Sequence, residues 1–280
     1  MSALELDSQA MPKPAFLLDM DGVLYRGECA IPEAKSFLRD IADFSYLLVT
    51  NNSSTTPEAL ADKLVRLGFP EIDPARILTS AIATASFLQA EKPGFSYFAV
   101  GGSGLHDALR RHGTEDTGNP DYIVVGEGEG LTYESLTLGI NRLIRGKAKL
   151  IGTNPDPALD GTRNGQAVVL PGGGALIAPF AAATGLEPLF VGKPERWLFL
   201  EALRRLDRSA NDAIMIGDRP DTDIEGATRL GMVTVLVRTG RFPPDKPYPD
   251  GLPKPDFDVN SLNELNLNLV LETVRERPSS

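Results

Sequence analysis

Short apolar runs separated by stretches of helical periodicity recur along this 280-residue chain, and that alternation limits its fold more than any other feature. The runs are Ala15–Leu18, Tyr46–Val49, Tyr97–Val100, Tyr122–Val125, Leu150–Ile151, Val168–Leu170, Leu189–Val191, Ala213–Ile216 and Val233–Val237. Each reads as a strand. In one of the gaps Pro57 follows Thr56, a good N-cap, and Leu60, Leu64 and Leu67 recur at helical spacing until Gly68. Ser261 with Glu264 three residues on predicts a capping box that opens a final helix. Strands alternating with helices need crossover connections, so the expected class is α/β with a mostly parallel sheet.

The strands are too many for one compact sheet, and two sheets are expected. The residues that can carry chemistry lie before about residue 55 and after about residue 190, and the long middle carries none. An insertion of one α/β unit into another, entered through Thr79–Ser80 and left near Gly185–Pro188, accounts for this better than two units in tandem. The expected division is 1–81, 82–187 and 188–280, with the outer segments forming one unit. Pro243–Pro255 reads as a proline-rich surface connection.

Four polar motifs follow apolar runs. In Phe16-Leu17-Leu18-Asp19-Met20-Asp21-Gly22-Val23 a strand ends in two carboxylates and a glycine, the position where ligand sites form in parallel sheets. A calcium loop is excluded, because its sixth and twelfth positions, which need Gly and Glu, hold Leu24 and Ala30. Leu48-Val49-Thr50-Asn51-Asn52-Ser53 offers a hydroxyl, amides and free N–H groups at a helix start, suited to anionic oxygens or to simple capping. Lys193 follows Phe190-Val191-Gly192 without the glycine-rich cradle of a P-loop. In Gly217-Asp218-Arg219-Pro220-Asp221-Thr222-Asp223 three acids crowd behind a strand, which is costly unless a cation neutralises them. With only oxygen ligands on offer, a hard cation such as Mg²⁺ fits better than Zn²⁺.

In this order the four motifs resemble those of the haloacid dehalogenase-like (HAD) phosphohydrolases. Asp19-Met20-Asp21-Gly22-Val23-Leu24-Tyr25, Thr50-Asn51-Asn52, Thr153-Asn154-Pro155-Asp156, Val191-Gly192-Lys193-Pro194 and Gly217-Asp218 with Asp223 look like the type IIA, NagD-like or 4-nitrophenylphosphatase-like branch. The resemblance implies a Rossmann-like three-layer core with a parallel sheet and an inserted α/β cap domain. It implies a Mg²⁺-dependent phosphatase that hydrolyses phosphate monoesters of small metabolites through an aspartyl-phosphate. Asp19 would be the nucleophile and Asp21 the general acid and base. Thr50, Asn51 and Lys193 would hold the phosphate, and Asp19, the Asp21 carbonyl and Asp218 would bind the metal. Asp223 would act behind them, through water or by orienting Lys193. Asn154 and Asp156 would lie on the cap face, and a homodimer through the cap is compatible with the family. Two other readings use the same residues: a phosphotransferase with a different acceptor, and a regulatory module that holds a phosphoryl group without turnover.

Other features read as structure. Val100-Gly101-Gly102-Ser103-Gly104 fits neither a dinucleotide fingerprint nor a nucleophile elbow and reads as a tight strand-to-helix turn. His106 and His112, six apart on one predicted helix, lack metal-ligand spacing. Pro171-Gly172-Gly173-Gly174 reads as a helix entry, which the resemblance would place on the cap face over the site, and Trp197 reads as packing. The acidic residue that the branch places after its Val-Val-Gly run is Glu127, in a Gly-Glu-Gly-Glu-Gly loop that departs from the usual pattern. The formal net charge of -10 argues against nucleic acid and anionic membranes as partners. A single cysteine, no basic-plus-apolar leader in Met1–Ala15 and no apolar run of about 20 residues lead to the expectation of a cytoplasmic protein.

Overall fold

The computed structural model describes residues 13–163 and 166–277, so the leader reading of Met1–Pro12 lies outside the described residues. Six strands form a parallel sheet in the spatial order Phe257–Val259, Val233–Val237, Ala213–Gly217, Ala15–Asp19, Tyr46–Thr50, Ile77–Thr79. Its central strands are buried along their length because both faces are covered. Phe16, Leu18, Ile214, Ile216, Val233 and Val235 point to one side, where they meet helices Pro32–Asp40, Pro57–Arg66 and Leu267–Glu276. Leu17, Leu47, Val49 and Met215 point to the other and meet helices Ser80–Glu91 and Arg196–Leu206. The result is three layers, helix on sheet on helix. Each fully buried Phe or Leu contributes about 1.5–3 kcal/mol to holding them together.

The chain leaves this sheet at Thr79, whose side chain accepts the Ile82 N–H and caps the helix that follows. A second parallel sheet is then built in the order Leu189–Phe190, Lys149–Gly152, Tyr122–Val125, Ser96–Val100, Thr114–Glu115. Helices Tyr133–Arg145 and Gly173–Thr184 pack on one of its faces. Tyr97, Tyr122, Val124 and Ile151 from its other face join the apolar cluster of the first sheet, so the two sheets share one core region. The Leu189–Phe190 strand pairs with Lys149–Gly152, which carries the second sheet past residue 187.

Several local expectations are met as read. Thr56 accepts the Ala59 N–H and caps Pro57–Arg66, with Leu60 and Leu64 buried. Gly102 and Gly104 lie so close to the backbone of Ser54 and Thr55 that a Cβ would collide with it, and helix Ser103–Arg110 begins there. Trp197 packs on Phe87 with ring centroids 4.7 Å apart. The capping box does not form. Ser261 opens a single 3₁₀ turn, the Glu264 carboxylate takes the Asn260 N–H at 3.0 Å, and Asn266 caps the final helix instead. Val168–Leu170 does extend, as Gln166–Pro171, but in an antiparallel hairpin with Ala158–Arg163 outside the parallel sheets. Among the described residues no helix is long and apolar enough to cross a membrane.

Candidate active site

Three neighbouring strands of the first sheet end in polar side chains at the same edge. Ala15–Asp19 lies between Ala213–Gly217 and Tyr46–Thr50, with Leu18 opposite Ile216 and Asp19 opposite Val49. That register sets Asp19, Thr50 and Asp218 together at the carboxyl ends, where parallel sheets open into ligand clefts. A wide turn, Pro220–Ile224, folds Asp223 back towards them, and the Arg219 N–H secures its Oδ2 at 3.1 Å. Carboxylate oxygens of Asp19, Asp218 and Asp223 all lie within 4.8 Å of one another, and all three residues are buried. Lys193, which enters from the strand Leu189–Phe190, donates from Nζ to Asp19 Oδ1 and Asp223 Oδ1 at 2.6 Å each.

The glycine of the first motif has a definite task. Gly22 adopts φ +87°, and a Cβ there would overlap the Asp218 carboxylate. Gly240 closes on the same carboxylate from another side, and the next residue, Arg241, donates its N–H to Asp218 Oδ2 at 2.7 Å. Asp218 is therefore held by two close backbones.

Burial raises the Asp19 pKa to about 7, against the opposing pull of Lys193. The Asp218 carboxyl is pushed far above its ordinary range by burial and by its neighbours Asp19 and Asp223. Burial pushes Lys193 down, but Asp19 and Asp223 outweigh it and hold the ammonium above its usual range. One lysine cannot neutralise three carboxylates. An all-oxygen, strongly anionic and buried donor set of this kind fits a hard divalent cation.

The other residues singled out from sequence fall around this centre. Asp21 lies on the cleft wall, and desolvation there raises its carboxyl pKa while Lys63 opposes the rise. Thr50 is buried and its Oγ1 accepts the Asn52 N–H at 3.1 Å. Asn52 Oδ1 accepts the Thr55 N–H, which is a capping contact. The Asn51 side chain is committed elsewhere: Nδ2 donates to Asp156 Oδ2 at 2.8 Å and the Lys193 carbonyl at 2.9 Å, while Oδ1 accepts the Lys193 N–H at 2.8 Å. Asn154 Nδ2 reaches the Asn51 carbonyl and Glu127 Oε1. Asp221, the middle acid of the fourth motif, turns away to Arg219. Above these groups is a cleft of about 490 Å³, walled by residues from both sheets' loops.

Comparison with known proteins follows the same outline. The Haloacid dehalogenase-like hydrolase family matches residues 16–115, and the HAD-hydrolase-like family matches residues 190–265. The acid sugar phosphatase of Staphylococcus aureus is 37% identical over 257 residues, covering 89% of this chain and 95% of that protein. The 5'-nucleotidase YutF of Bacillus subtilis is 36% identical over 252 residues, covering 89% and 96%. Among solved structures, NagD from E. coli K-12 superposes with a TM-score of 0.80 at 29% identity, over 91% of this chain and 99% of its own length. The chain belongs to the haloacid dehalogenase-like hydrolases, in the NagD-like branch. These hydrolases generally use a divalent metal, and the Asp19, Asp218 and Asp223 cluster supplies a set that suits one.

Three features of this HAD-like site were not read from the sequence. Arg219 bonds Asp156 Oδ1 at 2.5 Å, and Arg241 bonds Asp160 Oδ2 at 2.8 Å. Glu127 is buried against Ser53, whose N–H it accepts and whose Oγ accepts the Glu127 N–H. Burial raises the Glu127 pKa to about 7. The one sequence signal for the first of these was an arginine set inside an acidic cluster, which must pair with something.

Proposed function

We propose that this chain hydrolyses phosphate monoesters of small metabolites by transferring the phosphoryl group to Asp19 and then to water. The observation that carries the reading is the buried Asp19–Lys193–Asp223 contact beside Asp218, at the strand ends beneath the cleft. The chain is a phosphoric monoester hydrolase. An Asp19 oxygen bonds to phosphorus as the bond to the leaving oxygen breaks, and Asp21 delivers a proton to that oxygen. The raised Asp21 pKa favours a carboxyl that can carry this proton. Asp21 then takes a proton from water, whose oxygen attacks phosphorus and frees Asp19 and phosphate. Lys193 and Thr50 meet the phosphoryl oxygens, and Asn51 contributes through its backbone N–H, since its amide is already engaged.

Mg²⁺ is the proposed cation, held by Asp19, Asp218 and the Asp21 carbonyl, with Asp223 orienting Lys193. When bound it offsets the negative charge shared by nucleophile and substrate. The segment 82–187 is proposed as a cap that closes the cleft, supported by Asn154, Asp156 and Asp160 facing the first sheet's loops. A metabolite-sized cleft, and relatives named for sugar phosphates and nucleotides, support a sugar phosphate or nucleotide as substrate. A cytoplasmic setting is supported by the lone Cys29, and a homodimer by exposed Tyr133 and Ile144 on one helix of the proposed cap. The test is turnover of 4-nitrophenyl phosphate and of a panel of phosphorylated metabolites. Exhaustive EDTA should abolish it, Mg²⁺ should restore it, and Asp19→Asn should remain inactive. Turnover that persists through either treatment contradicts the reading.

A further inference from the structure

The contacts of Asp156 close a ring around Lys193. Asp156 Oδ2 accepts Asn51 Nδ2, and its Oδ1 accepts the Arg219 guanidinium. Asn51 grips Lys193 at both its N–H and its carbonyl. Lys193 Nζ reaches Asp223 Oδ1, and Asp223 Oδ2 accepts the backbone N–H of Arg219. Following these bonds leads from Asp156 through Asn51, Lys193, Asp223 and Arg219 back to Asp156. Asp156, Lys193 and Asp223 are buried while Asn51 and Arg219 are half-buried, so the ring is partly shielded from water.

The orientation of the Asn51 amide decides how well this ring holds. As placed, Nδ2 faces two acceptors and Oδ1 faces one donor. A flipped amide would set Oδ1 against the Asp156 carboxylate and the Lys193 carbonyl, and Nδ2 against the Lys193 N–H. An ionised carboxylate at 156 is acceptor-only and rejects that arrangement. Arg219 in turn holds the Asp156 carboxylate in this orientation. Asp156 lies between the two sheets' loops, 105 positions from Asn51 and 63 from Arg219.

We propose that Asp156 is a positioning residue for Lys193, fixing the lysine's backbone through Asn51 so that the phosphate-binding ammonium is set only when the inserted segment is docked. The inference rests on the reading of Lys193 as a phosphoryl contact. Asp156→Asn keeps the size but must turn an NH₂ towards either Asn51 or Arg219. The experiment measures kcat and KM of the metal-loaded enzyme on 4-nitrophenyl phosphate and on a sugar phosphate, with inorganic phosphate as a competing ligand. The expected result is a kcat loss of about 10–100-fold, the size typical of groups that orient a binding residue, equal for both leaving groups. Weaker inhibition by phosphate should accompany it, with an unchanged near-ultraviolet dichroism spectrum at the assay temperature. Asn51→Ser breaks the ring at its next member and should give the same uniform loss. In a Lys193→Met background Asp156→Asn should cost little more. A lowered Tm with unchanged kcat overturns the inference, as does a loss that differs between leaving groups or adds fully to that of Lys193→Met. Wild-type kcat in Lys193→Met alone shows instead that the reading of Lys193 has failed.

Discussion

The loops of the first sheet and the facing loops of the inserted segment meet across one cleft, yet they contribute opposite things. The first sheet's loops bring Arg219 and Arg241 to the carboxylate cluster, and Lys193 joins it from the end of the Leu189–Phe190 strand. The inserted segment answers with Asp156, Asp160 and Glu127, acids that take up the cations and N–H groups left around that cluster. One side holds the groups proposed to react, while the other is proposed to set their positions. An excess of acids is therefore spread over both halves of a site for an anionic substrate. On the first sheet they form a cluster that suits a metal, and on the insertion Asp156 and Asp160 pair with arginine while Glu127 takes the Ser53 N–H.

The largest effects should come from the side that carries the chemistry. Asp218→Asn removes a buried carboxylate from the cluster, and turnover should drop by about 10²–10³-fold, comparable with the loss of a preorganised charge-stabilising group. A Mg²⁺ titration of activity should show a higher half-saturation point. Normal Mg²⁺ dependence in this variant would place the metal elsewhere. Gly22→Ala forces a side chain onto Asp218 at a positive φ and should cost about 1–3 kcal/mol of stability. Chemical denaturation measures that cost, and a neutral result would mean the two loops are not held as close as described.

Effects on the insertion side should be smaller and different in kind. Glu127 has a pKa raised from the ordinary glutamate value to about 7, so between about 4.5 and 7 the folded chain binds more protons than the unfolded one. Stability must then fall as pH rises through that window. Denaturation midpoints measured from pH 4.5 to 7.5 should show Glu127→Gln losing this component of the slope, and parallel curves for the two proteins would contradict the assignment. Smallest of all should be the Arg241–Asp160 pair, which is partly exposed on both sides. A double-mutant cycle should give a coupling of under about 1 kcal/mol. A much larger value would turn this pair into a principal latch between the two regions.

The same contrast separates what the sequence reveals from what it hides. Asp19, Thr50 and Asp218 stand at the ends of neighbouring strands of one parallel sheet, which converge by construction, so local pattern was enough to bring them together. Lys193 instead follows the second sheet's Leu189–Phe190 strand and joins them through the docking of the two sheets. The contacts of Asp156 could not be read from local pattern either, because its partners lie 105 and 63 positions off and depend on how the two sheets dock. Asn51 illustrates the limit from the other side. Its place after a strand suggested a phosphate ligand, but only three-dimensional contact shows its amide spent on Lys193 and Asp156. The failed Ser261 box has a local cause, since Glu264 found the Asn260 N–H first and Asn266 offered a competing cap. Short edge strands such as Ile77–Thr79 and Phe257–Val259 were missed because three residues carry too little periodicity.

In the proposed reaction Asp19 carries the phosphoryl group. The most direct test of that step is an acid quench of the Mg²⁺-loaded enzyme during turnover of a labelled phosphate ester, followed by peptide mapping. The account predicts label on the peptide that contains Asp19 and none in Asp19→Asn. Steady release of phosphate with no labelled peptide at any quench time, or with label on another residue, would contradict it.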